Sequence, residues 1–182
     1  MPLPLTVILL AGGASRRMGR DKALLRIRGR RAVDLLAGHY AHLARTVLVA
    51  SGRRRIPRLK FPQISDPEGL RGPLAGLEAG LEASRGSWIL LVACDQVPLN
   101  REALGQLWKA RKGVRAVRLE DGPLPGLYPR ALLPRIRRLR KQGLGPSALP
   151  YRMIPSPDGW VRTGWNTPKE LSRWLRTRLP LE

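Results

Sequence analysis

Residues 6–19 read TVILLAGGASRRMG. The stretch begins with an apolar run that has β-branched members, and this run ends at the glycine pair 12–13. Such a run is typical of a strand that is buried on both faces of a parallel sheet. Further runs of this kind occupy residues 46–50 and 88–93, and segments of helical length separate the three. The alternation predicts a three-layer α/β fold with a mostly parallel central sheet.

Apolar residues at helical spacing predict helices over residues 31–43 and 73–83, and Pro73 suits a first helical turn. Asn100 is a good N-cap for a helix that continues to about residue 112. The second half is less regular. It predicts a strand at 114–119, a short strand or edge segment at 122–128, a basic helix over 130–141 and a strand at 151–154. A last helix is predicted after Thr167, which would be its N-cap, with the Glu170 side chain bonding back to the cap residue.

Length and composition limit the class of protein. The chain has 182 residues, and we expect a single domain over 1–182. Lys and Arg number 34 against 13 Asp and Glu, so the formal net charge is +21 and anionic partners are expected. Cys94 is the only cysteine, which excludes an internal disulfide and favours a reducing, cytoplasmic setting. Neither a membrane span nor a leader peptide is predicted, because no apolar window reaches about 20 residues and no positive charge precedes residues 3–11.

The glycine-rich loop after the first predicted strand is a candidate phosphate site. In doubly wound sheets, ligands bind outside the carboxyl ends of the strands, and glycines let backbone N–H groups approach phosphate oxygens. Arg16 and Lys22 would add positive charge beside those oxygens. The loop has neither the spacing of a P-loop nor that of a dinucleotide fingerprint, so those two interpretations are excluded.

Two aspartates stand at the same predicted edge of the sheet. Asp95 comes just after the run at 88–93, and Mg²⁺ prefers one or two carboxylates together with substrate phosphates and waters. Asp66 can accept hydrogen bonds from ribose hydroxyls or base N–H groups. Cys94 is interpreted as a core residue rather than a nucleophile.

Residues 10–25, which read LAGGASRRMGRDKALL, closely resemble the signature of the molybdenum cofactor guanylyltransferase family. Residues 66–76, which read DPEGLRGPLAG, are similar to the second signature of that family, and residues 165–168 to its C-terminal one. The resemblance runs from the first strand to the last helix and is strongest before Pro98. It implies a Rossmann-like nucleotidyltransferase fold in which the N-terminal half binds nucleotide and the C-terminal half binds the acceptor.

The resemblance also implies an activity: transfer of GMP from GTP to molybdopterin, with Mg²⁺ as cofactor and pyrophosphate as the leaving group. Asp95 would be the metal ligand, and Lys22 and Arg16 would stabilise the leaving group. Molybdoenzymes or their chaperones would receive the product. The residues implied to meet nucleotide are Leu10, Ala11, Gly12, Gly13, Lys22, Asp66, Asp95 and Asn166.

The chain departs from the family pattern at three places. Ser51 stands where the family has an asparagine after the second strand, and Gly164 replaces the first asparagine of the C-terminal signature. The proline that usually comes two residues after the metal aspartate is displaced to Pro98. These departures concern a nucleotide contact and the acceptor loop rather than the metal site.

Alternative functions remain open on the sequence. A cytidylyltransferase acting on molybdopterin and a sugar-phosphate nucleotidyltransferase share the expected fold, although the pair Gly12 and Gly13 favours the guanylyl type. A basic nucleic-acid-binding protein would explain the net charge, but no stacking motif accompanies it, so only non-specific adsorption is expected. The arginines of the helix at 130–141 either bind a phosphorylated pterin or form a solvated face.

Overall fold

The predicted alternation of strands and helices is present in the computed structural model, which describes residues 1–13, 18–68, 72–113, 115–122, 124–156, 164–165 and 167–174. The strands in these ranges are β1 (Leu3–Leu10), β2 (Arg26–Ile27), β3 (Arg30–Arg31), β4 (Ala44–Ala50), β5 (Gln63–Ile64), β6 (Trp88–Ala93), β7 (Ala116–Leu119), β8 (Gly126–Pro129) and β9 (Tyr151–Ile154). The helices are α1 (Ala32–Ala41), α2 (Pro73–Ala83), α3 (Arg101–Ala110), α4 (Leu133–Lys141) and α5 (Pro168–Trp174).

The described residues form a seven-stranded sheet in the order β5-β4-β1-β6-β8-β7-β9, and β2 and β3 form a separate two-stranded ribbon. The three apolar runs are the neighbours β4, β1 and β6, and all of them are parallel. Strand β8 is antiparallel to both β6 and β7, so β7 runs in the same direction as β6. The carboxyl ends of β1, β4, β6 and β7 therefore share one edge of the sheet.

Helices cover both faces of the sheet, as the continuous apolar runs predicted. Helices α1 and α3 pack over one face with the odd positions of β1, such as Val7 and Leu9. Helices α2 and α4 pack over the other face with Ile8. All three side chains are fully buried. None of the helices in the described ranges has the length and apolar character that crossing a membrane requires.

The local predictions at helix starts are confirmed. The Asn100 side chain accepts a 2.8 Å hydrogen bond from the Ala103 N–H at the start of α3. The Thr167 hydroxyl accepts from the Glu170 N–H at 3.3 Å, and the Glu170 carboxylate accepts from the Thr167 N–H at 3.2 Å. This reciprocal pair is the capping box that the sequence indicated.

The segment predicted as a short strand or an edge segment at 122–128 contains a short strand, but this strand does not lie at an edge. Strand β8 spans Gly126–Pro129, lies between two other strands and is buried at every position. Prolines and glycines suggested an edge, but neighbours in a sheet depend on long-range pairing that local composition does not specify. The predicted helix at 130–141 also begins as a 3₁₀ turn, Arg130–Leu132, before α4. Val114 lies outside the described residues, and β7 begins at Ala116.

The basic helix α4 is only partly a solvated face. Glu78 of α2 is buried, and its carboxylate accepts hydrogen bonds from Arg140 at 2.7 Å and from Arg137 at 3.3 Å. Arg137 also pairs with Glu82, one turn further along α2. The other basic residues of the helix, Arg135, Arg138 and Lys141, are exposed. Two of the arginines thus fasten α4 to α2 and are not available to an acceptor.

Replacing Glu78 with glutamine is expected to lower the free energy of unfolding by about 2 kcal/mol. The change removes a buried charge that two arginines neutralise, and the figure is discounted from the cost of a fully buried pair because both arginines reach solvent. Urea unfolding measures it. Glu82→Gln is the matched control, because its carboxylate meets the same Arg137 but is 41% exposed. Equal losses in both variants would contradict the role given to burial.

Candidate active site

A cavity of about 580 Å³ opens at the carboxyl ends of β1, β4 and β6. This is the edge where the sequence placed the phosphate loop and the acidic residues. Its wall is made by residues from the loops that follow these three strands, together with the start of α2 and one leucine that precedes β8. The lining residues are 10–13, 21–23, 50–54, Asp66, Gly72, Pro73, 93–95 and Leu124.

The two described residues that the sequence assigned to catalysis are in direct contact. Lys22 Nζ lies 2.6 Å from Asp95 Oδ2, and the side chains are 13% and 24% exposed. Lys22 begins a 3₁₀ turn after the glycine loop, and Asp95 follows β6. Residues 73 positions apart in the chain therefore form a cation–carboxylate pair at the cavity wall.

Arg54 and Asp21 form a second charged pair at the cavity, which the sequence did not predict. The Arg54 guanidinium binds both oxygens of Asp21, with Nη2 2.7 Å from Oδ1, and it also donates to the Ala11 carbonyl at 2.8 Å. The Asp21 carboxylate in turn accepts from the Ala23 N–H at 3.0 Å and so caps the turn that carries Lys22. Arg54 joins the loop after β4 to both ends of the glycine loop.

Replacing Arg54 with alanine is expected to lower kcat/KM for the nucleotide about tenfold, because the turn that aims Lys22 loses its anchor. Arg54→Lys is expected to recover only part of this loss, since a lysine cannot hold Asp21 with two parallel hydrogen bonds. Steady-state kinetics measure both variants. Arg55→Ala removes the same charge from the next residue, which is exposed and outside the cavity. An equally large loss of kcat/KM in Arg55→Ala would mean that the effect comes from the lower net charge of the protein and not from the contacts of Arg54.

The first glycine of the loop allows two strand-end loops to touch. An ideal Cβ on Gly12 would lie 2.6 Å from the backbone nitrogen of Gly52 and 2.9 Å from the carbonyl carbon of Ser51. The Ala11 N–H donates to the Ala50 carbonyl at 2.8 Å just before this contact. Ser51, which stands at one of the departures from the family pattern, is buried and lines the cavity.

Asp66 lies on the cavity wall, as the sequence predicted. Its backbone N–H donates to the Gly52 carbonyl at 3.3 Å, which brings it to the end of β4. Partial burial raises the pKa of its carboxyl group. Gly76 of α2 faces Leu10 so closely that a Cβ there would overlap the leucine side chain. Helix α2 therefore approaches the sheet closely at Gly76, beside the Asp66 side chain.

The C-terminal signature is described only in part. Arg16 and Asn166, which the sequence placed in the site, lie outside the described residues. The backbone N–H of Trp165 donates to the Asp95 carbonyl at 3.0 Å. The indole ring of Trp165 is buried, and its centroid lies 5.8 Å from Lys22 Nζ. Gly164 packs against the same carbonyl, which an added Cβ would approach to 3.1 Å. The segment that precedes α5 thus supports the backbone of Asp95.

The donor set at Asp95 fits a magnesium ion bound together with nucleotide. Asp95 brings one carboxylate, and the described ranges contain no cluster of three or more potential metal-ligating side chains. Mg²⁺ commonly takes its other ligands from phosphate oxygens and water, and the cavity has room for both. Burial raises the pKa of the neighbouring Cys94 thiol to about 12, in agreement with its interpretation as a core residue.

Comparisons with known proteins agree with this geometry. Residues 7–152 match the MobA-like NTP transferase domain. The probable molybdenum cofactor guanylyltransferase of Opitutus terrae is 36% identical over 92% of this chain and 93% of its own. The solved molybdopterin-guanine dinucleotide biosynthesis protein A of Archaeoglobus fulgidus has the same fold, with a TM-score of 0.76 and 22% identity over 93% of this chain and 96% of its own.

A Mycobacterium tuberculosis protein solved as a complex with manganese shares the fold as well, with a TM-score of 0.65 and 17% identity over 97% of this chain and all of its own. The match along nearly the whole of the Opitutus protein excludes a basic nucleic-acid-binding module as the identity of the chain. The strand-end cavity, its lysine–aspartate pair and the sequence matches lead to one conclusion: the chain is a nucleotidyltransferase and belongs to the molybdenum cofactor guanylyltransferase family.

Proposed function

We propose that this enzyme transfers GMP from GTP to the terminal phosphate of molybdopterin and releases pyrophosphate. The observation that carries the proposal is the contact between Lys22 and Asp95 at the wall of a cavity built from the family's signature loops. The Opitutus relative, whose name states this activity, supports it. Molybdoenzymes or their chaperones would receive the product, and a buried free thiol at Cys94 suits a reducing cytoplasm.

The nucleotide would occupy the side of the cavity at the carboxyl ends of β4 and β1. Backbone groups of residues 10–13 would meet its phosphates, and Asp66 would accept hydrogen bonds from the ribose or the base. Partial burial of Asp66 strengthens such bonds, because water competes less for its oxygens. Arg16 and Asn166 keep their predicted roles in leaving-group stabilisation and active-site contact.

Asp95 would hold Mg²⁺ together with the phosphates of GTP. The ion, when bound, neutralises the charge that the phosphate oxygens carry. Lys22 reaches the same space, so its ammonium group can leave Asp95 for the more highly charged triphosphate and stabilise the leaving pyrophosphate. The pair seen in the structure keeps both side chains oriented before the substrates arrive.

The proposed reaction requires little proton transfer by the protein. A phosphate oxygen of the acceptor forms a bond to the α-phosphorus, and the bond from that phosphorus to the pyrophosphate oxygen breaks. Because the nucleophile is already an anion, no general base is required, and catalysis depends on in-line positioning and charge neutralisation. Histidine takes no part in the described cavity wall, since His39 is buried beside α3 and donates to the Leu99 carbonyl at 2.8 Å.

Calorimetric titration with GTP, CTP and UTP in the presence of Mg²⁺ tests the proposal, at a salt concentration that suppresses adsorption to this basic protein. We expect selective binding of GTP that Asp95→Ala abolishes and that Glu102→Ala, which removes an exposed carboxylate from α3, leaves unchanged. Preferential binding of CTP would move the enzyme to the cytidylyl alternative. Failure to bind any nucleotide would refute the proposed reaction.

A further inference from the structure

Arg118 is not among the residues that line the nucleotide cavity. It belongs to β7 and pairs in register with Gly126 of β8 and Met153 of β9. Gly126 pairs in turn with Leu91 of β6, so Arg118 is level with a residue four positions before Asp95. Its side chain shares a face with Tyr128 and Tyr151.

Arg118 is a half-buried cation without an anion in the described parts of the chain. Its Nε is buried and has no hydrogen-bond partner there, and its nearest interaction is with the Tyr151 ring, whose centroid lies 5.0 Å from the guanidinium carbon. Arg54, whose side chain is 40% exposed, and Arg140, whose side chain is 29% exposed, each bind a carboxylate instead. Partial burial of an uncompensated charge costs stability, so the position calls for an anion from outside the described residues.

The neighbouring hydroxyl groups do not supply that anion. The Tyr151 hydroxyl donates to the Pro146 carbonyl at 2.7 Å and lies 3.1 Å from the Tyr128 hydroxyl, and burial raises the pKa of both phenols. Both groups therefore stay neutral at physiological pH. Together with Arg118 they form a cluster with one positive charge, two aromatic rings and no negative charge from their own side chains.

Leu124 connects this cluster to the nucleotide cavity. It lines the cavity, and it also packs against the apolar cluster that contains Tyr128 and Tyr151. Gln96, next to Asp95, donates to the Leu124 carbonyl at 3.5 Å and holds this segment beside the metal aspartate. A molecule that enters past Leu124 with one end at Asp95 would extend its other end toward Arg118.

We propose that Arg118 binds an anionic group at the end of the acceptor that is remote from the reacting phosphate. The inference rests on the proposed function, which places that phosphate at Asp95. The reacting phosphate cannot itself be the ligand: Arg118 lies two strands from β6, about 10 Å across the sheet, and four residues, about 13 Å, back along it. An acceptor with a second negative charge is held at both ends.

Arg118→Met tests the proposal, because methionine keeps the length and apolar stem of the side chain and removes the charge. Arg111→Met is the matched control: Arg111 also stacks on an aromatic ring, 3.5 Å from the Trp108 centroid, but its guanidinium donates to the Trp108 carbonyl. We expect Arg118→Met to raise the acceptor KM about tenfold, to keep the GTP KM within about twofold, and to raise Tm by about 2 °C. Arg111→Met is expected to change neither KM and not to raise Tm.

An unchanged acceptor KM in Arg118→Met would overturn the proposal. A lower Tm with both KM values raised would overturn it too, because that pattern belongs to a structural arginine. A second measurement needs no turnover: with GTP and Mg²⁺ bound, sulfate is expected to raise the Tm of wild type and Arg111→Met by more than that of Arg118→Met. Equal shifts in all three proteins would also refute the site. This measurement stays decisive even if the wild type transfers nothing to molybdopterin, which would refute the proposed function alone.

Discussion

Replacing Asp95 with alanine is expected to lower metal-dependent turnover about a thousandfold while the protein keeps its fold. Asp95 pairs directly with Lys22, and its side chain is 24% exposed at the cavity wall, so it is accessible to a bound metal. Its removal deletes the proposed metal ligand and the group that orients the lysine. Turnover at saturating Mg²⁺ and thermal unfolding measure the two halves of this expectation.

Asp95→Asn separates charge from shape. The amide keeps the size of the side chain and can still meet a neighbouring donor, but it loses most of its affinity for a divalent ion. We expect it to resemble Asp95→Ala in turnover and wild type in Tm. Turnover within about tenfold of wild type in both variants would contradict the assignment of Asp95 as the metal ligand, since loss of a metal that stabilises the transition state by several kcal/mol must slow turnover by more than that.

The parts of the fold that could be predicted are those that local sequence determines. Strand β6 and helix α2 begin and end where the sequence indicated, because β6 is a continuous apolar run and Pro73 opens α2. The short strand predicted near 122–128 is β8, but its position between β6 and β7 could not be predicted, since it follows from pairing with residues 35 or more positions away in β6. Local composition carries no signal for such pairing.

The candidate site divides in the same way. The placement of the glycine loop and Asp95 at one edge of the sheet could be predicted, because each follows a buried strand, and β1 and β6 are parallel neighbours. The ion pair between Lys22 and Asp95 is visible only in the structure. Arg54 could not be predicted, although it holds Asp21 and Ala11 in place. It stands in a run of three arginines in a chain rich in arginine, and only the folded loop shows which of the three binds Asp21 and the Ala11 carbonyl.

Replacing Gly12 with alanine is expected to lower Tm by about 4 to 8 °C and to remove most of the affinity for GTP. The added Cβ would lie 2.6 Å from the nitrogen and 2.8 Å from the Cα of Gly52. These are backbone atoms, so no side chain can rotate away, and the loops after β1 and β4 must separate. An overpacked contact of this kind costs about 2 kcal/mol, which corresponds to such a shift in a protein of this size.

Gly13→Ala is the control for the loss of stability, because an added Cβ at Gly13 would meet no atom within 4 Å among the described residues. Thermal unfolding with and without GTP and Mg²⁺ compares the two variants. A small loss of Tm in Gly12→Ala with normal stabilisation by GTP would contradict this expectation, because it would mean that the two loops can separate without loss of affinity for GTP. The larger loss expected here follows from the position of the contact: the backbone that alanine displaces is also the wall that the phosphates of GTP would touch, so stability and binding must fall together.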